Sequence, residues 1–216
     1  MTLRHRLMLA ASALLSACSI IPKSEAPVVY RLPSAVPQPA TPAVPPKRPA
    51  VNTLGTPAFS LRIAVPKATA TLDSTRITVL PDSDRVTVYK GVRWSERAPV
   101  LLRNRLFDAF QAAGEVAALS IDDSNLQADV ELAGMLRGFQ SEYHDGRPVV
   151  VIRYDALLTS ASAHRIIASR RFDVQAPAAG ASVAQVVRAF GQASDQLAAQ
   201  VVSWVLANAP QDAPHP

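Results

Sequence analysis

Proline is concentrated in one part of this chain, and that concentration limits where a folded domain can lie. Residues 22–57 contain ten of the eighteen prolines. Proline fixes φ and removes the backbone donor, which excludes this segment from regular helices and central strands. We predict a mostly extended N-terminal tether or loop over residues 18–57, one globular domain over residues 58–207, and a flexible tail at 208–216. Residues 28–32 are β-prone, and we expect them to dock on the domain as a short strand; the alternative is that the whole segment is a tether.

The first 17 residues have the composition of a secretion signal. Arg4, His5 and Arg6 form a positive start, and the apolar run that follows is about half as long as the roughly 20 residues that cross a bilayer. The run ends in Leu15-Ser16-Ala17-Cys18, the pattern of a lipobox. We therefore expect signal cleavage between Ala17 and Cys18, and covalent diacylglycerol and N-acyl chains on Cys18, with no other cofactor and no metal.

The single cysteine and the charge distribution narrow the class of protein further. Once Cys18 carries lipid, no thiol remains for a disulfide, a thiolate metal site or a nucleophile. Ser19 stands where an aspartate, by analogy with proteobacterial lipoproteins, marks retention in the inner membrane, so we expect the periplasmic face of the outer membrane. Removing residues 1–17 lowers the formal charge from +5 to +3. The remaining Lys and Arg residues are spread along the chain, which argues against a nucleic-acid surface.

The folded region begins with a block of predicted strands. Residues 59–65 alternate apolar and polar side chains, as in a half-buried strand. Two β-rich runs, 75–80 and 85–89, flank a Pro-Asp-Ser-Asp turn and predict a hairpin. A helix is expected next, with Ser95 as its N-cap, apolar residues at helical spacing, and Gly114 just beyond its last turn.

A second block of strands leads to the longest predicted helix. The strands are predicted at residues 130–136, 149–158 and 166–174. Gly138 is a candidate bulge position, and Asp145-Gly146 suits a type I′ turn, which needs positive φ at both central residues. Ser182 and Gln185 have the spacing of a capping box at the start of a helix over residues 182–207. The predicted apolar face of this helix contains Val183, Val186, Val187, Phe190, Leu197, Val201 and Trp204 or Val205. We expect it to pack through Val186, Phe190, Leu197 and Val201.

The element order is therefore β-β-β-α-β-β-β-α. Because both helices have one apolar face and the strands alternate, the sequence predicts an α+β single domain. We expect a mainly antiparallel sheet in two three-stranded blocks, with the two helices packed on one face.

Catalytic and metal-binding motifs are missing from the sequence. The four histidines, His5, His144, His164 and His215, do not have the spacing of a zinc helix, and no HExxH, GxSxG or phosphate-loop motif occurs. Acidic residues in the turns at 82–84 and 122–123 lack the glycine and distal glutamate of a calcium loop. We predict that the protein is not an enzyme, and we assign no catalytic, cofactor-binding or metal-binding residue.

Trp94 admits two interpretations. An aromatic side chain flanked by arginines is typical of interface hot spots, which makes Arg93, Trp94 and Arg97 candidate partner contacts. In the alternative interpretation, Trp94 packs the start of the first helix onto the sheet, which is the commoner role for such a residue. The same two interpretations apply to Tyr143, beside the predicted hairpin turn.

Several short landmarks occur in order along the chain. After the lipobox they are Val28–Leu32, Leu61–Ile63, Leu72–Ile77, Tyr89–Trp94, the strand Val149–Leu158, Ala168–Phe172 and a C-terminal helix that ends near Trp204. Together they resemble the ABC-type transport auxiliary lipoprotein family over residues 15–207. The proline-rich insertion after Leu32 departs from the family pattern.

This resemblance implies a non-enzymatic part in a lipid-transport system. Family members are outer-membrane-anchored partners of periplasmic substrate-binding proteins of the mammalian-cell-entry type, which an inner-membrane permease and ATPase serve. The implied role is docking of these partners, and the resemblance supplies no catalytic residue. Two other functions stay open: a periplasmic lipid carrier with its own acyl-chain cleft, and a periplasmic hydrolase whose site combines residues distant in sequence.

Overall fold

The computed structural model describes residues 26–34, 59–82, 84–121, 127–160 and 163–210. Cys18, the predicted signal sequence, most of the proline-rich segment and the end of the tail lie outside the described residues. The described strands are β1 (Val28–Tyr30), β2 (Ser60–Ile63), β3 (Lys67–Ala68), β4 (Thr78–Leu80), β5 (Thr87–Val88), β6 (Val92–Trp94), β7 (Ala118–Ile121), β8 (Val130–His144), β9 (Arg147–Ser160) and β10 (Arg165–Pro177). The two described helices are α1 (Ala98–Ala113) and α2 (Val183–Asn208).

The last three strands form an antiparallel meander of 15, 14 and 13 residues. The turn between β8 and β9 has φ values of 50° at Asp145 and 75° at Gly146, which confirms the predicted turn with two positive φ angles. A register shift between Leu136 and Gly138 confirms the predicted bulge in β8. The turn chemistry and the alternation of the sequence therefore specify this region.

The earlier strands pair with β8 in a different way. β2, β3 and β4 lie one after another along the edge of β8 that β9 leaves free, and all three run parallel to β8. The registers are Leu61 opposite Val130, Lys67 opposite Met135 and Thr78 opposite Gln140. β7 adds to the other side of β2, again in parallel, and β5 forms the predicted hairpin with β4.

These pairings correct the predicted arrangement of strands. The α+β single domain with two helices is confirmed, but the prediction of two antiparallel three-stranded blocks is wrong. The strands β2, β3, β4, β5, β7, β8, β9 and β10 form one mixed sheet, whereas β1 and β6 form a separate parallel pair. A crossover through α1 separates β2 from β7, and a crossover of that kind returns the chain parallel to the strand it left.

Both helices pack on one face of the sheet. α2 contacts β9 and β10, and α1 packs beside α2 and against β2 and β7. The predicted core positions of α2 are confirmed, because Val186, Phe190, Leu197 and Val201 are all fully buried. The capping box of Ser182 and Gln185 is also formed.

The start of α1 differs from the prediction. Ser95 is not its N-cap: the helix begins at Ala98 after Arg97, whose side chain makes no cap hydrogen bond. The backbone N–H of Ala98 instead donates to the carbonyl oxygen of Ser74 at 3.3 Å. Its predicted end is confirmed, because Gly114 is left-handed and its N–H donates to the Phe110 carbonyl oxygen at 3.1 Å.

The other face of the sheet carries cross-strand ion pairs. Arg137 on β8 and Arg171 on β10 both donate to the carboxylate of Asp155, on the strand between them. Hydrogen bonds from Arg171, and then from Arg137, lower the pKa of Asp155 to about 2. Arg153 on β9 similarly bridges Asp173 and Glu142 on its two neighbours. Alternating charges of this kind suit a face in contact with water.

Candidate functional site

Trp94 lies in the core, which corrects its assignment as a partner contact. It is the last residue of β6 and is 1% exposed. Its ring makes edge-to-face contacts with Phe139 on β8, at 6.0 Å between centroids, and with Phe190 on α2, at 5.1 Å. Aromatic pairs at such distances add to the stability that burial provides. Trp94 is therefore a packing residue, as in the alternative interpretation, but its ring contacts join β6 to β8 and to the C-terminal helix α2.

The two arginines that flank Trp94 lie at the surface. Arg93 is exposed, on β6 opposite Val29 of β1. Arg97 is also exposed and donates from Nη1 to both carboxylate oxygens of Asp73, at 2.8 and 3.0 Å. The structure thus separates the three predicted contact residues: Arg93 and Arg97 face solvent, and the aromatic side chain between them does not.

The strand β1, near the start of the proline-rich region, docks on the domain. Each residue of β1 lies opposite a residue of β6, from Val28 with Val92 to Tyr30 with Trp94. Hydrogen bonds from Val28 N to Gly91 O, at 2.9 Å, and from Ser95 N to Tyr30 O, at 2.8 Å, close the two ends of the pair. Val28 and Val29 remain 56% and 48% exposed. Val29 lies opposite Arg93, so these two exposed side chains lie on the same face of the strand pair, whereas Val28 lies on the other face. We call Val29 and Arg93 the β1–β6 patch.

A buried arginine fixes the end of this segment to both helices. Arg105 of α1 is 7% exposed and forms an ion pair with Asp195 of α2. Its Nη2 atom donates to the carbonyl oxygens of Leu32, at 3.3 Å, and Pro33, at 2.6 Å. A buried guanidinium needs such partners, because an unpaired buried charge is costly. Arg105 therefore connects three parts of the chain at one point.

Gly191 allows the close approach of Pro33 to α2. A Cβ atom at position 191 would lie 2.6 Å from the Pro33 carbonyl oxygen, closer than real contacts permit. Gly191 and Asp195 are one helical turn apart, so they lie on the same face of α2. The sequence analysis did not identify Arg105, Gly191 or Asp195. The sequence pattern that could have identified them is an arginine, a glycine and an aspartate at positions where the helix faces are otherwise apolar.

A groove of about 1020 Å³ lies between α1 and α2 beyond this contact. The apolar part of its lining is made mostly of small side chains, namely Ala109, Ala112, Ala113, Ala198, Ala199, Val202 and Leu206, and Gln111 and Ser203 also line it. Arg105 and Asp195 lie at the groove, together with the exposed carboxylates of Asp108 and Glu115. Ser34, the last described residue before the proline-rich stretch, also lines it.

The other residues considered in the sequence analysis are dispersed. His144 is exposed at the β8–β9 turn, His164 lies in the β9–β10 turn with φ of 47°, and Tyr143 is half-buried at the end of β8. Across the described ranges, no three His, Cys, Asp or Glu side chains come together as a metal site. Neither described helix is both long enough and apolar enough to span a bilayer.

Comparison with known proteins decides the family. The model of the ABC-type transport auxiliary lipoprotein component family matches residues 37–202. The chain belongs to this family. Membership of this family makes the protein a lipoprotein of the cell envelope and an auxiliary component of ABC-type transport. That role points away from an enzyme. No curated protein matches the chain.

Solved structures agree with the family and the fold. The crystal structure of protein XCC0632 from Xanthomonas campestris, from the same family under the name DUF330, is 30% identical with a TM-score of 0.71. That match covers 84% of this chain and 96% of the other. A crystal structure of an uncharacterized protein is 16% identical with a TM-score of 0.62, covers 84% of this chain and 99% of that one, and supports the fold alone.

Proposed function

We propose that this auxiliary lipoprotein is anchored through Cys18 to the periplasmic face of the outer membrane and docks the partners of an intermembrane lipid-transport system. The partner that it binds directly is a periplasmic substrate-binding protein of the mammalian-cell-entry type. Through that protein it acts together with an inner-membrane permease and ATPase. Membership of the transport auxiliary family supports the docking role, and the lipobox at Leu15–Cys18 supports the anchor.

The docking of β1 is the observation that carries this proposal. Because Val28 is already hydrogen-bonded to the domain, only the nine residues 19–27 separate Cys18 from the folded part. Nine extended residues reach about 30 Å. A lipid on Cys18 thus holds the domain next to the membrane, and a partner confined there meets it at a raised effective concentration. A modest intrinsic affinity is then sufficient for docking.

The β1–β6 patch is the proposed contact surface. It combines the exposed apolar side chain of Val29 with the exposed guanidinium of Arg93, which lies opposite it on the same face of the strand pair. Exposed apolar area beside an arginine is a common composition at protein interfaces. Arg97 lies four residues further along, where its ion pair with Asp73 holds it in place. Trp94 contributes by supporting β6 from the core rather than by touching the partner.

Co-purification from detergent extracts tests this function. The lipidated protein should bring down a membrane-anchored periplasmic substrate-binding protein, and Arg93→Glu should reduce the yield of that complex without lowering thermal stability. Arg188→Glu, a charge reversal at an exposed arginine of α2, is the matched control and should leave the yield unchanged. Arg97→Glu should lower both the yield and the stability, because it places a second negative charge beside Asp73.

The outcomes separate the proposed function from the alternatives. Equal yields with Arg93→Glu and Arg188→Glu would reject the β1–β6 patch and retain the docking role. A protein that brings down no substrate-binding partner but carries stoichiometric extractable lipid in its folded domain would instead be a lipid carrier. Turnover of a lipid ester by the isolated protein would contradict the non-enzymatic role.

A further inference from the structure

We propose that the groove between α1 and α2 is the docking site for this chain's own proline-rich segment, residues 35–58. The sequence analysis assigned that segment to a tether or loop, and the transport role gives it no task. The inference goes beyond the proposed function and does not depend on it.

One end of the segment is fixed at the groove, and the other end is fixed close to the C-terminal end of the helix α1 that borders it. On one side, Ser34 lines the groove, directly after Pro33, whose carbonyl oxygen accepts a hydrogen bond from buried Arg105. On the other side, Phe59 is fully buried, and its carbonyl oxygen accepts a hydrogen bond from Ala117 N at 3.1 Å. Ala117 follows closely after Glu115, which lines the groove beyond the end of α1. The segment therefore leaves the domain beside Arg105 and returns beside the C-terminal end of the same helix.

The direct path between these two points runs along the groove. Arg105 and Ala113 both line it, and eight residues of helix between them span about 12 Å. The connecting segment has 24 residues. In a polyproline conformation it advances about 3.1 Å per residue, so a small part of it is enough to follow the groove. Docking is intramolecular, so a weak interaction suffices.

The apolar character of the segment matches that of the groove. Residues 35–58 contain seven prolines, five alanines and three valines. The groove presents alanine methyl groups and, toward its far end, the side chains of Val202 and Leu206. Proline-rich segments lose little conformational entropy on binding, because proline has already restricted the unbound chain. A shallow groove lined by small side chains can accept pyrrolidine rings and methyl groups without rearrangement.

The charges are complementary as well. Lys47 and Arg48 are the only charged residues in the segment. The groove carries the exposed carboxylates of Asp108 and Glu115, whereas Asp195 is already paired with Arg105. An adjacent pair of cations within an otherwise uncharged segment thus meets two carboxylates on α1 and just beyond it. This complementarity favours the chain's own segment over an acidic partner.

Disulfide trapping in the full-length protein in detergent tests the proposal. Ala199→Cys, at an exposed position in the groove, is combined in turn with Ala40→Cys, Ala43→Cys and Ala50→Cys. The controls combine the same three substitutions with Ser169→Cys, at an exposed position on the opposite face of the sheet. At least one groove pair should form an intramolecular disulfide about ten times faster than its control. A tenfold higher effective concentration of the two thiols corresponds to about 1.4 kcal/mol of free energy. Peptide mapping assigns each disulfide.

Charge reversal makes the test specific. Lys47→Glu with Arg48→Glu should slow trapping in the groove pair, and adding Asp108→Lys with Glu115→Lys should restore it. Circular dichroism and thermal unfolding verify that each variant is folded. Equal rates in groove and control pairs, rates that do not respond to charge, or disulfides formed mainly between molecules would each overturn the proposal. Partner co-purification is measured separately, so failure here leaves the docking role standing.

Discussion

The two halves of the sheet are built in contrasting ways. In the C-terminal half, β8, β9 and β10 are 13 to 15 residues long, and each pairs with the strand next to it in sequence. In the N-terminal half, β2, β3 and β4 have two to four residues and pair with β8, which follows much later in the chain. Leu61, for example, lies opposite Val130.

This contrast separates local from long-range specification. The meander is specified by its own turns and alternation, whereas the short strands take their places only when β8 provides an edge. Pairing between distant residues must overcome a larger loop-closure entropy than a hairpin does. We therefore expect substitutions in the N-terminal half to loosen that half alone, and substitutions at shared core positions to unfold the whole domain.

The largest effect is expected at a side chain that both halves share. Phe190 is fully buried and contacts Trp94 from the first half and Phe139 from the second. Phe190→Ala should destabilise the domain by about 3–5 kcal/mol, through lost burial and the cavity left behind. Urea denaturation measures the change, with Gln192→Ala at an exposed position of the same helix as control. A loss below about 0.5 kcal/mol would place Phe190 outside the core, since only surface substitutions cost so little.

A smaller and more local effect is expected at Arg105. Arg105→Ala removes hydrogen bonds to Asp195 and to two carbonyl oxygens of the docked segment. The expected loss is about 1.5–3 kcal/mol, the range for hydrogen bonds to a charged group. Trypsin cleavage after Arg31 should accelerate, while amide exchange in β9 stays slow. Unchanged cleavage at Arg31 would contradict the role of Arg105, and Arg188→Ala at an exposed arginine is the control.

A third substitution tests the local specification of the meander. Gly146 has φ of 75° with open space around it, so strain rather than collision opposes a side chain there. Gly146→Ala should cost about 1–2 kcal/mol, the penalty for a left-handed conformation. The neighbouring Asp145→Gly should cost nothing or stabilise the turn. If thermal unfolding finds no difference between these two variants, the turn does not fix the register of β8 and β9.

The smallest effect is a dependence on pH. The pKa of Asp155 is lowered to about 2 by Arg171 and Arg137, so its ion pairs stabilise the fold above the ordinary pKa of an aspartate. That stabilisation is lost as the pH falls towards about 2, and it amounts to less than about 1 kcal/mol because the pairs contact solvent. Melting temperatures of the wild type and Asp155→Asn should therefore differ at pH 6, and the difference should shrink as the pH falls from the ordinary pKa of 3.8 through about 2 and vanish only below that. A constant difference between them would exclude this carboxylate as the titrating group.

Sequence reasoning recovered the features that depend on neighbouring residues. The Asp145-Gly146 turn, the bulge before Gly138, the end of α1 at Gly114 and the capping box at Ser182 each depend on a few adjacent side chains. All four are formed. The buried face of α2 was also recoverable, because helical periodicity alone places Phe190 and Val201 on one side.

The features that were missed depend on distant residues. Parallel pairing of β2 with β8 requires knowledge of the crossover through α1, which no local pattern encodes. The start of α1 is set by a hydrogen bond from Ala98 to Ser74 rather than by a cap at Ser95. The burial of Trp94 depends on Phe139 and Phe190, and both come much later in the chain.

The central claim is that a short lipid tether holds this domain at a membrane, and the mature N-terminus tests it most directly. Intact-protein and peptide mass spectrometry of the membrane fraction should find Cys18 as the first residue, carrying diacylglycerol and an N-acyl chain. Cys18→Ser should give an unprocessed or soluble product, because a hydroxyl cannot form the thioether. An unmodified N-terminus at Cys18, or a mature chain that begins at another residue, would contradict the account.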